Sequence, residues 1–419
     1  MIAAVPFIMA CNQTGQVNAT LFPASGSENV NPDTHLVLTF SETPVLGDSG
    51  MIRVYDAVTD QVVDSLDLSI PSGPTESRTY GPECDYTKVP YDYTRTVVPT
   101  NKDTRPGTPS GTAEPTPPVY QLTIIGGFTD AFHFYPVIVR DSIATIYLHN
   151  NMLEYGHTYY VTIDNGVLNL ADGSFQGVTK EDEWTFTTKS DMPELSDTLI
   201  VDATGKGDFN TVQGALDFIP DFNERQTVIL VNPGDYEELV YTRNKWNVKI
   251  KGAGMADTKV HYANNEVFNP HPLTVKTNEW PGTFPSRRAA FMLDNCKDIV
   301  IEDMTIATDL KGQAEGLLIN GERIALYRVH IIGSGDALQA NGTIYMESCE
   351  LDGGGDTILG RGSLFAYKSN FRNGGGPFSW VRNTAGNHGN VFVECTFSTE
   401  DGKQADYERT KSNHGSAYP

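Results

Sequence analysis

The chain has 419 residues, 39% of them hydrophobic, with 39 glycines, 24 prolines and a formal net charge of −23. That length exceeds one ordinary domain and implies two or three, and the turn-rich composition with many Tyr and Phe suits β structure. The acidity excludes nucleic-acid backbones and anionic membrane surfaces as partners, and it requires a polyanionic partner to be neutralised where it binds.

Residues 1–11, MIAAVPFIMAC, are too short an apolar run to span a bilayer. The run resembles the end of a bacterial lipoprotein signal, with Cys11 as the lipidated residue and 1–19 as signal and tether, although the positively charged start is missing. This implies a secreted or cell-envelope lipoprotein of a Gram-negative bacterium, held at the outer membrane by lipid alone. Residues 20–190 carry short alternating stretches (HLVLTFSETP, MIRVYDAVTD, VYQLTII at 119–125, FYPVIVR, SIATIYLH, HTYYVTID, EWTFTTK) separated by turn residues, the pattern of a β-sandwich. A Pro-, Thr-, Ser- and Gly-rich segment near 72–118 reads as an irregular insertion. The opening PASGSENVNPDTHLVLTFSETP and the closing half resemble bacterial Ig-like domains. No nucleophile–base constellation occurs there, so this domain reads as a spacer or scaffold, followed by a linker at 191–197.

From 198 the character changes. LIVDATGKGDFNTVQGALDFIP predicts a strand, a Gly-rich turn and an amphipathic helix with Val212, Ala215, Leu216 and Ile219 on one face, capped by Thr211 or Asn210. ATGKGDF is not a phosphate loop, because no Gly-Lys-Ser/Thr closes it. The helix serves instead as the end cap a repeat fold needs. TVILVNPGDYEELVY and NVKIKGAGMADTKVHY supply the first coils.

The stretch 313–362 and its flanks then repeat. IVIEDMTI, IALYRVHI, IYMESCEL, LFAYKSNF and NVFVECTF end on Ile306, Ile331, Leu351, Phe371 and Phe397, which are 25, 20, 20 and 26 residues apart. One strand per repeat of this length predicts stacked parallel coils, with Met304, Val329, Cys349, Ser369 and Cys395 on one face and Asp303, Arg328, Glu350 and Lys368 on the other. The fold class is therefore all-β: a right-handed parallel β-helix over 198–419 behind the N-terminal sandwich. Asp336 and Asp356 follow Gly turns 20 residues apart, which places them on adjacent coils about 4.8 Å apart. Two like charges at that spacing are costly unless one is protonated or a cation is near. A lone Asp after a Gly turn is usually a turn cap; the pairing is what points to chemistry. The five cysteines form no disulfide framework: Cys349 and Cys395, two coils apart, are beyond bridging distance.

The ordered set DATGKGDFNTVQGALD, PGDYEELV, VKIKGAG, QAEGL, GDAL and GDTILG resembles the pectin methylesterases, carbohydrate esterases of the parallel β-helix class. Position by position, the resemblance implies that Gln313 steadies an oxyanion, Asp336 is the general acid/base and Asp356 the nucleophile. Gly335 stands where the family has a glutamine, and DTILG where it has DFIFG. Arg409 is the arginine in roughly the right order, with Arg361 and Arg382 as alternatives. The solenoid reads as short of its last coils. Trp380 is a candidate sugar platform alongside Arg361 as a substrate contact, with core packing the alternative for the ring. Tyr236 and Glu238 read as structural.

Ester hydrolysis of pectin needs a nucleophile, a proton donor for methanol and donors aimed at the oxyanion. No cofactor or metal is expected, since His330, His388 and His414 lack partners at ligand spacing. The expected partner is homogalacturonan, met by a monomer. The alternatives are an esterase or thioesterase for another substrate on this scaffold, and a non-catalytic glycan-binding surface lipoprotein.

Overall fold

The computed structural model describes residues 17–74, 120–128, 131–269, 286–381 and 388–400. Strands within 20–67 and 137–188 build two packed sheets. One sheet runs in the order Thr20–Phe22, Leu36–Thr39, Ile143–Ile146, Val137–Arg140; the other runs Ser27–Val30, Thr185–Thr188, Thr158–Ile163, Met51–Asp56, Gln61–Asp67. Alternation does the sorting. Leu36, Leu38, Ile52, Val54, Val161 and Ile163 are buried in one core with Trp184, whose Nε1 donates to Pro23 O at 2.8 Å.

Strands from 198 onward form a 16-stranded parallel β-helix with three ladders. The first comprises 240–243, 291–294, 317–320, 338–341, 358–360 and 379–381. The second joins Thr198–Val201, Thr227–Val231 and Trp246–Lys251 to 299–302, 324–327, 344–347 and Ser363–Tyr367, ending at Asn390–Val393. The third passes through Ile306, Ile331, Leu351, Phe371 and Phe397, which are register partners in that order, as their spacing predicts. Ser369 lies between the free thiols Cys349 and Cys395, its Oγ accepting from Cys349 N and its carbonyl from Thr396 N.

Two expectations need correction here. Glu350 does not stand with Asp303, Arg328 and Lys368: those three share a left-handed corner with Ser348 and Glu394, all at φ between 49° and 59°, while Glu350 pairs with His330 inside a strand. VYQLTII is not a sandwich strand either. Among the described residues Leu122–Thr123 pairs only with Phe132–His133, and this strap lies on the outside of the solenoid, where Ile125, Phe128 and Phe132 are buried with Tyr241, Tyr262, Phe268, Met292 and Leu318.

The helix is Val212–Phe218 with Thr211 as N-cap, its Oγ accepting from Gly214 N at 2.9 Å. The predicted polar face is absent: every helical residue but Asp217 is buried, because the sandwich covers it. Asp33 Oδ2 accepts from Asn210 N, Thr211 N and Thr211 Oγ at 2.8–2.9 Å, and Asn150 and Asn151 donate to Asp217 Oδ2. Glu238 takes the next two amides, Val212 N and Gln213 N, at 2.8 and 2.9 Å. The orphan donors of the first turn are thus divided between the two domains, and Glu238 is structural as expected. Burial pushes its carboxyl up to about 7. The sandwich is therefore a fitted component of the solenoid's first coils.

Candidate active site

Leu317, Leu338 and Ile358 are register partners on three successive coils of the first ladder. Two residues before each stands an acid: Glu315, Asp336 and Asp356. These are 0%, 8% and 3% exposed, and coils are about 4.8 Å apart. The pair read from the sequence is thus brought together, with Glu315 as a third carboxylate on the neighbouring coil. Asp356 N donates to Asp336 Oδ1 at 3.0 Å.

The loop that carries Asp356 is tied from below. Asn373, fully buried, donates through Nδ2 to Gly355 O at 2.7 Å, Thr357 Oγ1 at 2.8 Å and Pro377 O at 3.1 Å. Such a hub fixes the turn on both sides of the acid.

The electrostatics bear on Asp336. Burial is the largest cause holding the Asp336 proton on, up to about 7; the Arg288 guanidinium opposes it, and the Glu315 and Asp356 charges add to it. A carboxyl that keeps its proton to neutral pH beside a second carboxylate suits an acid/base and a nucleophile.

Gln313 is exposed at the edge of this cluster. Its Oε1 accepts from Arg288 Nη1 at 2.5 Å, so Nε2 is the end of the amide left to face a ligand. Gly335 explains why a side chain is missing beside Asp336: a Cβ there would lie 2.6 Å from Gly312 O and 3.0 Å from Gln313 Cα. The close passage of these two backbones leaves no room for a glutamine.

Among the described residues, the arginine in contact with these acids is Arg288, which sequence reasoning missed. It donates to Asp336 Oδ2 at 3.0 Å and bidentately to Glu315. Arg361 lies five residues after Asp356, where its backbone N–H binds Asn341 Oδ1 at 3.1 Å. Arg409, Arg382, Cys11, His414 and nearly all of the 72–118 insertion lie outside the described residues. Trp380 is half-buried on the strand Ser379–Val381 and is the register partner of Leu359, so it stands on the ladder that carries the acids.

One further acid–histidine group has metal-like spacing among the described residues: Glu237, His261 and Asp309. It is closed by ion pairs. Arg140 holds Glu237 at 2.5 Å, and His261 sits between Asp309 at 2.5 Å and Asp235 at 2.9 Å. Although burial opposes it, those two carboxylates raise His261 to about 9, which favours the imidazolium held between them.

The family model described as Pectinesterase matches residues 198–374. Pectinesterase QRT1 of Arabidopsis thaliana is 30% identical over 170 residues, 39% of this chain and 43% of that protein. Pectinesterase 31 of the same plant is 29% identical over 165 residues, 38% of this chain and 51% of that protein. The chain thus spans about half the length of these curated relatives. Among solved structures, the pectin methylesterase from carrot aligns at a TM-score of 0.42 and 19% identity over 50% of this chain and 66% of that one. The pectin methylesterase from Aspergillus niger aligns at 0.41 and 18% over 51% and 70%.

Proposed function

We propose that the solenoid is a pectin methylesterase, hydrolysing C6 methyl esters of homogalacturonan to pectate and methanol. The observation that carries this reading is the buried Asp336–Asp356 pair, one coil apart and joined by the 3.0 Å amide contact, with Gln313 alongside. The match of the Pectinesterase model to the same coils supports it.

In the proposed reaction the Asp356 carboxylate attacks the ester carbonyl, and Gln313 Nε2 donates to the developing oxyanion. The C–O bond to the methoxy group breaks and Asp336 gives its proton to methoxide, releasing methanol. The resulting anhydride is cleaved by water, whose proton returns to Asp336 as Asp356 is freed. A methyl ester is neutral, which suits a chain of net charge −23 better than a bare polyuronate does.

Methanol release from highly methylated pectin tests the assignment. The parent chain should release methanol; Asp356→Asn should lose at least about 1,000-fold in kcat while unfolding within a few degrees of the parent. Release that survives in Asp356→Asn would move the nucleophile elsewhere. Glycan binding without release from either chain would favour a binding protein.

A further inference from the structure

Three carboxylates in equal register on successive coils would repel one another strongly if all were ionised. Arg288 lies against the first two of them. Its Nε and Nη2 engage both Glu315 oxygens at 2.5–2.9 Å, Nη2 also reaches Asp336 Oδ2 at 3.0 Å, and Nη1 reaches Gln313 Oε1 at 2.5 Å. Glu315 is fully buried, so the bidentate pair consumes the guanidinium charge inside the protein. Asp336 therefore receives an arginine's hydrogen bond without facing an uncompensated cation, which would strip its proton.

The backbone around Arg288 is held from the opposite side. Arg287 is 2% exposed, with its guanidinium 4.8 Å from the Phe128 ring centre and 5.3 Å from that of Phe132. Asn264 Nδ2 donates to Arg287 O and Ala289 O at 2.8 and 2.7 Å. In extended chain neighbouring side chains point to opposite sides. Seating Arg287 under the strap therefore delivers Arg288 to the acids.

We infer that Arg288 and Glu315 form a charge-neutral positioning pair for the ester hydrolysis proposed above, fixing Gln313 by its amide oxygen and Asp336 by Oδ2. The inference rests on that reading for its catalytic consequence. The pair orients the amide so that its NH₂ end meets the substrate oxygen, and it leaves the acid/base proton in place.

The test uses the full chain and three variants, Glu315→Gln, Arg288→Met and Arg288→Lys. The Asp336 carboxyl is followed by carbon-13 NMR titration, assigned by difference from Asp336→Asn, and kcat and KM for methanol release are measured against pH. In Glu315→Gln the guanidinium loses its bidentate partner and keeps Glu266 as the other acid acting on it, so the Asp336 midpoint should fall by about one unit or more, and the alkaline limb of kcat should move with it. Arg288→Met should raise the midpoint and lower kcat about 100-fold with little change in KM, the scale for one misplaced oxyanion donor. Arg288→Lys should restore the midpoint but not kcat, because an ammonium cannot hold three groups in one plane. An unchanged midpoint in Glu315→Gln overturns the inference. So does full activity in Arg288→Met, which decides the matter if Glu315→Gln fails to fold. If the parent releases no methanol but the midpoints move as stated, the esterase reading falls and the electrostatic pair stands.

Discussion

The amide of Asp356 donates to the carboxyl of Asp336 at 3.0 Å, so the backbone that carries one acid is a ligand of the other. The two groups cannot be tuned independently, and their titration belongs to the pair.

A consequence appears in stability. The Asp336 carboxyl is raised by burial to about 7, so the folded protein binds a proton that the unfolded chain releases near the ordinary carboxyl value. Stability from this group is complete below that ordinary value and is lost as pH rises through about 7. Asp336→Asn should therefore gain relative to the parent as pH increases, by a few degrees in Tm between pH 4 and pH 8. Thermal unfolding across that range checks it; a constant difference would contradict the assigned protonation.

His261 predicts a second pH effect in another place. Its imidazolium, raised to about 9 by Asp235 and Asp309, contributes stability that is complete below about 6.5 and lost as pH rises through 9. His261→Gln should lose more stability against the parent at pH 6 than at pH 10, seen as converging denaturation midpoints.

Gly214 reverses a common rule. Gly to Ala inside a helix normally stabilises by about 1 kcal/mol, but a Cβ here would lie 2.4 Å from Asp33 Oδ2. Gly214→Ala should destabilise, and in an Asp33→Ala background the same change should cost far less. The double-mutant cycle, read by denaturant unfolding, measures that coupling.

Gly335→Ala should separate activity from stability. Its Cβ would press on Gly312 O at 2.6 Å and on Gln313 Cα at 3.0 Å, shifting the proposed oxyanion donor. The expected loss is about 10-fold or more in kcat, with a modest change in Tm. Steady-state methanol release and calorimetry on one preparation check both.

The solenoid was legible because its signal repeats. Ile306, Ile331, Leu351, Phe371 and Phe397 each close a coil, and one misread strand would not have broken the series. The helix shows where such reading stops: periodicity located it, yet its polar side is filled by Asp33, Asn150 and Asn151, which lie more than 60 residues away in sequence. Glu315 was within reach, since it precedes Asp336 by 21 residues, one coil, just as Asp336 precedes Asp356 by 20. Arg288 had no comparable signal. It precedes the first of the long stacked strands, and its partners are set by tertiary packing alone.

The strap over Arg287 bears on how this chain can be cut and recombined. The solenoid is not a portable cassette: without the residues before 190, Tyr241, Tyr262 and Met292 lose the cover that Phe128 and Phe132 give them, and the helix loses its Asp33 acceptor. A graft of the esterase-like half onto another leader would expose a sticky apolar patch and loosen the segment that carries Arg288. Transplants of this half should keep the sandwich with it.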